Sequence, residues 1–113
     1  MESILTSVKK LLGITEEYDH FDADLIMHIN SVFSTLTQLG VGPSQGFSIT
    51  DQNDSWDDYI DLSANPQMSF IKTYVAKKVQ LLFDPPSSSV HMEALKNIIA
   101  ELEWRLNVLA ESK

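Results

Sequence analysis

Four oxygen-bearing residues at alternate positions, Asp51, Asn53, Ser55 and Asp57, form the first constellation with chemistry in it, because that spacing supplies the early ligands of a calcium loop. Such a loop also needs a Gly at its sixth position and a bidentate Glu at its twelfth, where this chain has Trp56 and Leu62. Specific calcium binding is therefore not expected. His20, His28 and His91 have no metal-ligand spacing to one another, and Asp24 with His28, one helical turn apart, reads as a surface pair. No serine sits in a G-x-S-x-G elbow and no Gly-rich phosphate loop appears. With no cysteine there is no disulfide, thiolate zinc site or cysteine nucleophile. Asn53-Asp54-Ser55 is a glycosylation sequon, which has meaning only in a secreted chain. The expectation is a protein that is not an enzyme, with no catalytic residue, metal or cofactor.

Whatever the chain does must then be done by surfaces, and charge is the first guide to them. Sixteen acids against eight bases give a net charge of -8 over 113 residues. Residues 11 to 71 hold ten of the acids and no Lys or Arg, so this stretch carries -10 and the remainder +2. Two acidic knots account for the first figure: Glu16, Glu17, Asp19, Asp22 and Asp24, then Asp51, Asp54, Asp57, Asp58 and Asp61. The ordinary reading is solvated loop surface before helices, where acids favour the helix dipole. A domain this acidic repels the phosphate backbone unless its few bases share one surface. Apolar residues at 43% and charged residues at 21% describe a globular chain, and its length suits a single domain, 1–113. No apolar run approaches the ~20 residues of a membrane span. Lys9 and Lys10, following the apolar positions of the N-terminus, argue against a signal peptide.

The elements that position these residues are helical, with no convincing strand pair. Ser3 caps a first helix bearing Ile4, Leu5, Val8, Leu11 and Leu12 on one stripe, stopped by Gly13. A second runs from about Asp22 to Gly40, with Leu25, Ile26, Ile29, Val32, Phe33, Leu36 and Leu39 at offsets 0, 1, 4, 7, 8, 11 and 14. Residues 40 to 65 break periodicity, with a helical turn near Trp56, and a connection of that length is expected to be functional or mobile. Asn65 and Pro66 open a third helix that Pro85 and Pro86 close. Its apolar arc of Phe70, Ile71, Tyr74, Val75, Val79, Leu81 and Leu82 is wide enough for a helix touched from several sides, leaving Lys72, Thr73, Ala76, Lys77 and Gln80 as a polar stripe. Ser87, Ser88 and Ser89 offer caps for a fourth helix whose core stripe is Met92, Leu95, Ile98, Ile99, Leu102, Leu106 and Leu109. The fold class is all-α: a small four-helix domain with a long irregular loop between the second and third helices.

Two residues disobey these patterns. Lys78 projects into the middle of the third helix's apolar arc, where it either snorkels to water or an acid of its own chain, or meets an acid of a neighbouring subunit. Trp104 lies opposite the fourth helix's core stripe, one turn before Val108. Either the first helix or the long loop covers it, or Trp104 and Val108 form a subunit contact, since interfaces are enriched in Trp.

The stretch IKTYVAKKVQLLFDPPSSS, followed by ELEWRLN, resembles the tailed-phage head-tail connector family of head-completion and adaptor proteins. Ile71, Lys72, Tyr74, Val75, Lys78, Val79, Leu81, Leu82, Phe83, Asp84, Pro85 and Pro86 carry the likeness, with Glu103, Trp104, Arg105 and Leu106. It extends more faintly through the first helix, Asp24-Leu25-Ile26 and the acidic loop with Trp56, and Gln80 stands where relatives are expected to have a base. The resemblance implies a virion or prophage protein that forms a homo-oligomeric ring under the portal protein, extends the DNA channel and receives the next tail component. DNA would pass without sequence-specific binding, no membrane is involved, and the protein would assemble in the host cytoplasm and reside in the virion. Candidate subunit or partner contacts are Trp104, Val108, Lys78, Arg105, Lys72 and Lys77, with Trp56, Asp57, Asp58 and Asp61 as a partner-facing loop. Two other classes compete. One is an acidic helical protein-binding module or DNA mimic; a DNA mimic would carry its acids as one continuous stripe, whereas the two knots here flank loops, and a helical DNA-binding protein would need a basic recognition helix that none of the four provides.

Overall fold

In the computed structural model, which describes residues 3–60 and 68–111, the chain is all-α, as its periodicities imply. The helices among the described residues are α1 (Ile4–Leu11), α2 (Asp22–Gln38), the single turn α3 (Trp56–Tyr59), α4 (Met68–Phe83) and α5 (Ser89–Glu111). The third and fourth helices of the sequence reading are thus α4 and α5. Asn65 and Pro66, the expected start of α4, lie outside the described residues.

Local chemistry sets the ends. Ser3 Oγ accepts the Thr6 N–H at 3.2 Å to cap α1. At its other end Gly13 turns at φ +81° while the Ile14 N–H donates back to the Lys9 carbonyl at 2.8 Å. At α2 no side chain caps, and Asp22 and Asp24 in the first turn meet the positive end of the helix dipole instead. After Phe83, the Asp84 N–H still reaches the Gln80 carbonyl at 2.8 Å before Pro85 and Pro86 end the helix. Ser88 provides the α5 cap through its Oγ, which accepts from the His91 N–H at 3.4 Å.

The wide apolar arc of α4 does what it predicts: α4 packs against α1, α2 and α5. Leu25, Ile29, Val32, Phe33 and Leu36 of α2 meet Ile71, Tyr74, Val75 and Val79 of α4 in the core, and Leu95, Ile99, Leu102 and Leu106 of α5 close it. Three expected core positions are not core. Leu11 is 65% exposed, Leu82 45% and Ile98 42%. Leu11 and Leu82 fall on the last turns of their helices, and Ile98 sits at the edge of its stripe, about 100° from buried Ile99. Conversely Ala76, assigned to the polar stripe, is buried.

The largest departure is the connection between α2 and α4, which over residues 41–60 is packed rather than loose. Val41, Ile49, Trp56 and Tyr59 all belong to the core. Asn30 of α2 treats Ile49 as a strand would: its Oδ1 accepts the Ile49 N–H at 2.7 Å and its Nδ2 donates to the Ile49 carbonyl at 3.0 Å. Phe47 and Tyr59 pack their rings on Phe33, at centroid distances of 5.1 and 4.7 Å. The Tyr59 hydroxyl donates to the Val41 carbonyl at 3.4 Å, and a Cβ on Gly42 would stand 2.5 Å from that hydroxyl. The loop also holds α1, because the Ile4 N–H donates to the Asp54 carbonyl at 3.0 Å beside an isolated antiparallel bridge between Ser3 and Ser55.

Candidate functional site

The surface that the fold builds without covering is the outer face of α5. At 3.6 residues per turn, Met92, Leu95, Ile99, Leu102, Leu106 and Leu109 run down the inner side at spacings of three and four. A second series with the same rhythm, Val90, Ala94, Asn97, Glu101, Trp104 and Val108, runs down the outer side. It is open: Val90 is 72% exposed, Trp104 66% and Val108 43%. Among the described residues neither α1 nor the loop covers Trp104. The sequence reading found Trp104 and Val108 on this face and missed Val90, whose signal is its spacing of fourteen residues from Trp104, close to four full turns.

Between the two faces Glu103 gathers the polar side chains that α4 presents. Its Oε2 accepts the Tyr74 hydroxyl at 2.7 Å and lies 3.4 Å from Lys78 Nζ. Burial pushes the Tyr74 phenol above its ordinary range, and the Glu103 hydrogen bond and charge push the same way, so Tyr74 stays protonated and donates. The misplaced lysine is thereby explained within the chain: Lys78 snorkels along apolar surface to Glu103.

The other bases are dispersed. Arg105 Nη2 lies 3.7 Å from Glu101 Oε1, one helical turn back, and its guanidinium sits 5.3 Å from the Phe70 ring centroid. Lys72 Nζ is 5.8 Å from the Trp56 ring. Lys77 stands in a shallow groove between α1 and α4 with Leu11, Leu12, Thr73, Ala76 and Gln80. Lys72, Lys77 and Lys78 therefore point to three different sides of α4, and the described residues contain no basic face that would follow a phosphate backbone.

The acidic loop corrects one expectation outright. Trp56 does not face a partner: it is 1% exposed, and its indole N–H donates to Ser7 Oγ at 3.0 Å, which itself donates to the Ile4 carbonyl. Three of its acidic neighbours serve the turn itself. Asp58 Oδ2 accepts the Ser55 N–H at 2.9 Å in a capping box, Asp51 accepts the Asn53 N–H at 2.8 Å, and Asp54 Oδ2 accepts the Thr50 N–H at 2.7 Å. The Thr50 N–H, helped by the Asp51 N–H and the Thr50 hydroxyl, holds the Asp54 carboxyl below its usual range against the opposing effect of burial. Asp57 and Asp58 are exposed, and Asp61 lies outside the described residues. No group of three or more metal-ligating side chains occurs among the described residues. His20 stacks on Tyr18 and His28 meets the edge of Phe83.

A family described as phage connector protein matches residues 4–113, almost the whole chain. This chain belongs to the phage connector protein family. No curated protein and no solved structure matches it. Membership supports a structural role in a bacteriophage. Among the described residues no helix of the connector is long and apolar enough to cross a membrane.

Proposed function

We propose that this connector is a ring-forming adaptor at the head-tail junction of the virion: it docks under the portal protein, extends the DNA channel and receives the next tail component, after assembly in the host cytoplasm. The observation that carries the reading is the outward Trp104, two-thirds exposed on a helix whose other face is fully used, in a chain of the connector family. An exposed Trp flanked by Val108 and Val90 has the composition of an interface core. A ring subunit meets its neighbours through two different surfaces that close by rotation, so half of each contact must lie elsewhere on the molecule. The dispersed bases and the net charge of -8 suit a channel wall, since one that gripped phosphate would retard moving DNA.

Sedimentation and negative-stain imaging across protein and salt concentration, with and without the cognate portal, test this. Weak association in dilute solution, with rings at high concentration or on the portal, is expected. A strict monomer that never docks on the portal would end the adaptor reading and leave an acidic protein-binding module.

A further inference from the structure

We infer that the outer seam of α5, centred on Trp104, seats in the α1/α4 groove of a second copy of this chain, with Glu101 of the seam meeting Lys77 of the groove. The inference rests on the adaptor reading and names the two surfaces that reading leaves open.

Charge keeps the seam from pairing with itself. At 100° per residue, Glu93 and Glu111 lie within about 20° of Trp104 and Glu101 within about 60°. All three are exposed, and no Lys or Arg falls inside that arc, although Arg105 just outside it lies 3.7 Å from Glu101 in an exposed pair that leaves Glu101 accessible. Two α5 seams laid together would oppose acid to acid along their length. The groove has the complementary character. Leu11, 65% exposed, and Leu12 supply its apolar wall, and Lys77 stands among them with no ion-pair partner among the described residues. Lys10, beside Leu11 in the chain, is exposed and likewise has no ion-pair partner among the described residues.

Placement agrees. The groove residues Thr73, Ala76, Lys77 and Gln80 and the α5-facing residues Tyr74 and Lys78 centre roughly a third of a turn apart around α4. Seam and groove therefore face different directions, as a heterologous, head-to-tail contact requires. The contact is small. The groove runs along α4 only from Thr73 to Gln80, about 10 Å, so a part of the α5 seam around Trp104 and Glu101 fills it, far below the ~800 Å² per partner of a stable complex. Each contact is weak alone and becomes significant when a ring closes or a portal organises the copies.

The chain has no cysteine, which makes the test direct. Full-length Lys77→Cys and Glu101→Cys are mixed at assembling concentration and treated with a short bis-maleimide. The expected product is a heterodimer from the mixture, with little dimer from either variant alone. Abundant homodimer from Glu101→Cys alone would overturn the inference in favour of seam-to-seam pairing. In parallel, Lys77→Glu and Glu101→Lys should each raise the concentration for half-assembly by about tenfold, and the double variant should recover most of it. Rings that form normally while the exchange fails to rescue would sink this interface and leave the adaptor reading standing. No assembly of the parent chain under any condition, portal included, would sink both. Thermal melts of each variant keep folding defects separate.

Discussion

The two tryptophans of this chain provide a controlled comparison, because one is 1% exposed and the other 66%. Replacing Trp56 with Ala empties a site in the middle of the core, between Phe33 at 6.2 Å and the α1 residues beneath, and leaves Ser7 Oγ without its donor. A truncation of that kind costs about 3–5 kcal/mol, against a total stability of about 5–15 kcal/mol for a domain. Trp56→Ala should therefore leave a marginal or unfolded protein. Trp104→Ala removes a side chain already mostly in water and should change folding stability by less than about 0.5 kcal/mol, while weakening assembly. Urea denaturation followed by circular dichroism measures the first quantity, and sedimentation at matched concentrations measures the second. Intrinsic fluorescence adds a check. Trp56→Phe should remove the blue, buried component of the emission, and the remaining Trp104 emission should shift to shorter wavelength when subunits associate. A loss of 3 kcal/mol or so in Trp104→Ala, with no separable assembly defect, would refute the reasoning by showing that the outer face supports the fold.

Other perturbations test other parts. Asn30→Ala should cost roughly 2–4 kcal/mol by urea titration, because both backbone groups of buried Ile49 lose their partner at once. It should also open residues 41–60 to limited proteolysis. Gly42→Ala should destabilise by more than about 1 kcal/mol, since φ is +82° there and the new methyl meets the Tyr59 ring; a neutral result would contradict the packing of the loop. Asp54 has a depressed carboxyl pKa, so its support of the Thr50–Asp54 turn is complete above the ordinary value of 3.8 and is lost as pH falls through the lower folded value. The Thr50 amide resonance should report that titration, and Asp54→Asn should abolish it. Raising ionic strength from about 0.01 M to about 0.15 M shortens the screening length from about 30 Å to about 8 Å and should promote assembly of subunits carrying -8 each; light scattering across that range decides.

Periodic signals were legible and long-range ones were not, for reasons that particular residues show. The offsets of α2 and the wide arc of α4 register an average over many side chains, so single deviations such as Leu82 leave the reading intact. Gly13 and Gly40, at φ +81° and +85°, announce helix ends because few other residues adopt that backbone. The loop of residues 41–60 carries no period, yet its cohesion comes from pairs far apart in sequence: Asn30 with Ile49, Ser7 with Trp56, Tyr59 with Val41. Lys9 is the sharpest case. On the α1 pattern it is an ordinary polar position, and in the fold it is 2% exposed, with Nζ 2.9 Å from Asp22 Oδ1 and donating to the Glu16 carbonyl. The Asp22 atom sits outside hydrogen-bonding geometry, so charge alone holds that side of the contact. The first acidic knot is in this way partly a counter-charge for a buried lysine, which no local pattern discloses. At the candidate site, the outward Trp104 was legible from its angle alone, whereas the inward Trp56 was hidden by capping aspartates whose role appears only once the turn is formed.

If copies of this connector assemble as proposed, salt acts on them at two ranges. The net charge of -8 is felt between subunit centres tens of ångströms apart, a distance already beyond the screening length at physiological ionic strength. In the proposed contact Lys77 and Glu101 would stand a few ångströms apart, partly shielded from water by Leu11, Leu12 and Trp104. Such a pair would survive screening that removes the long-range term, although exposed pairs of this kind contribute only about 0–1 kcal/mol each. Their value lies in register: acid placed on acid is excluded and acid placed on base is allowed, while apolar contact supplies the attraction. Because α5 gives one face to its own core and the other to solvent, stability and assembly can vary independently along a single helix. Under the proposed assembly, that independence would let a small chain fold by itself and still build a directional contact once copies are held together.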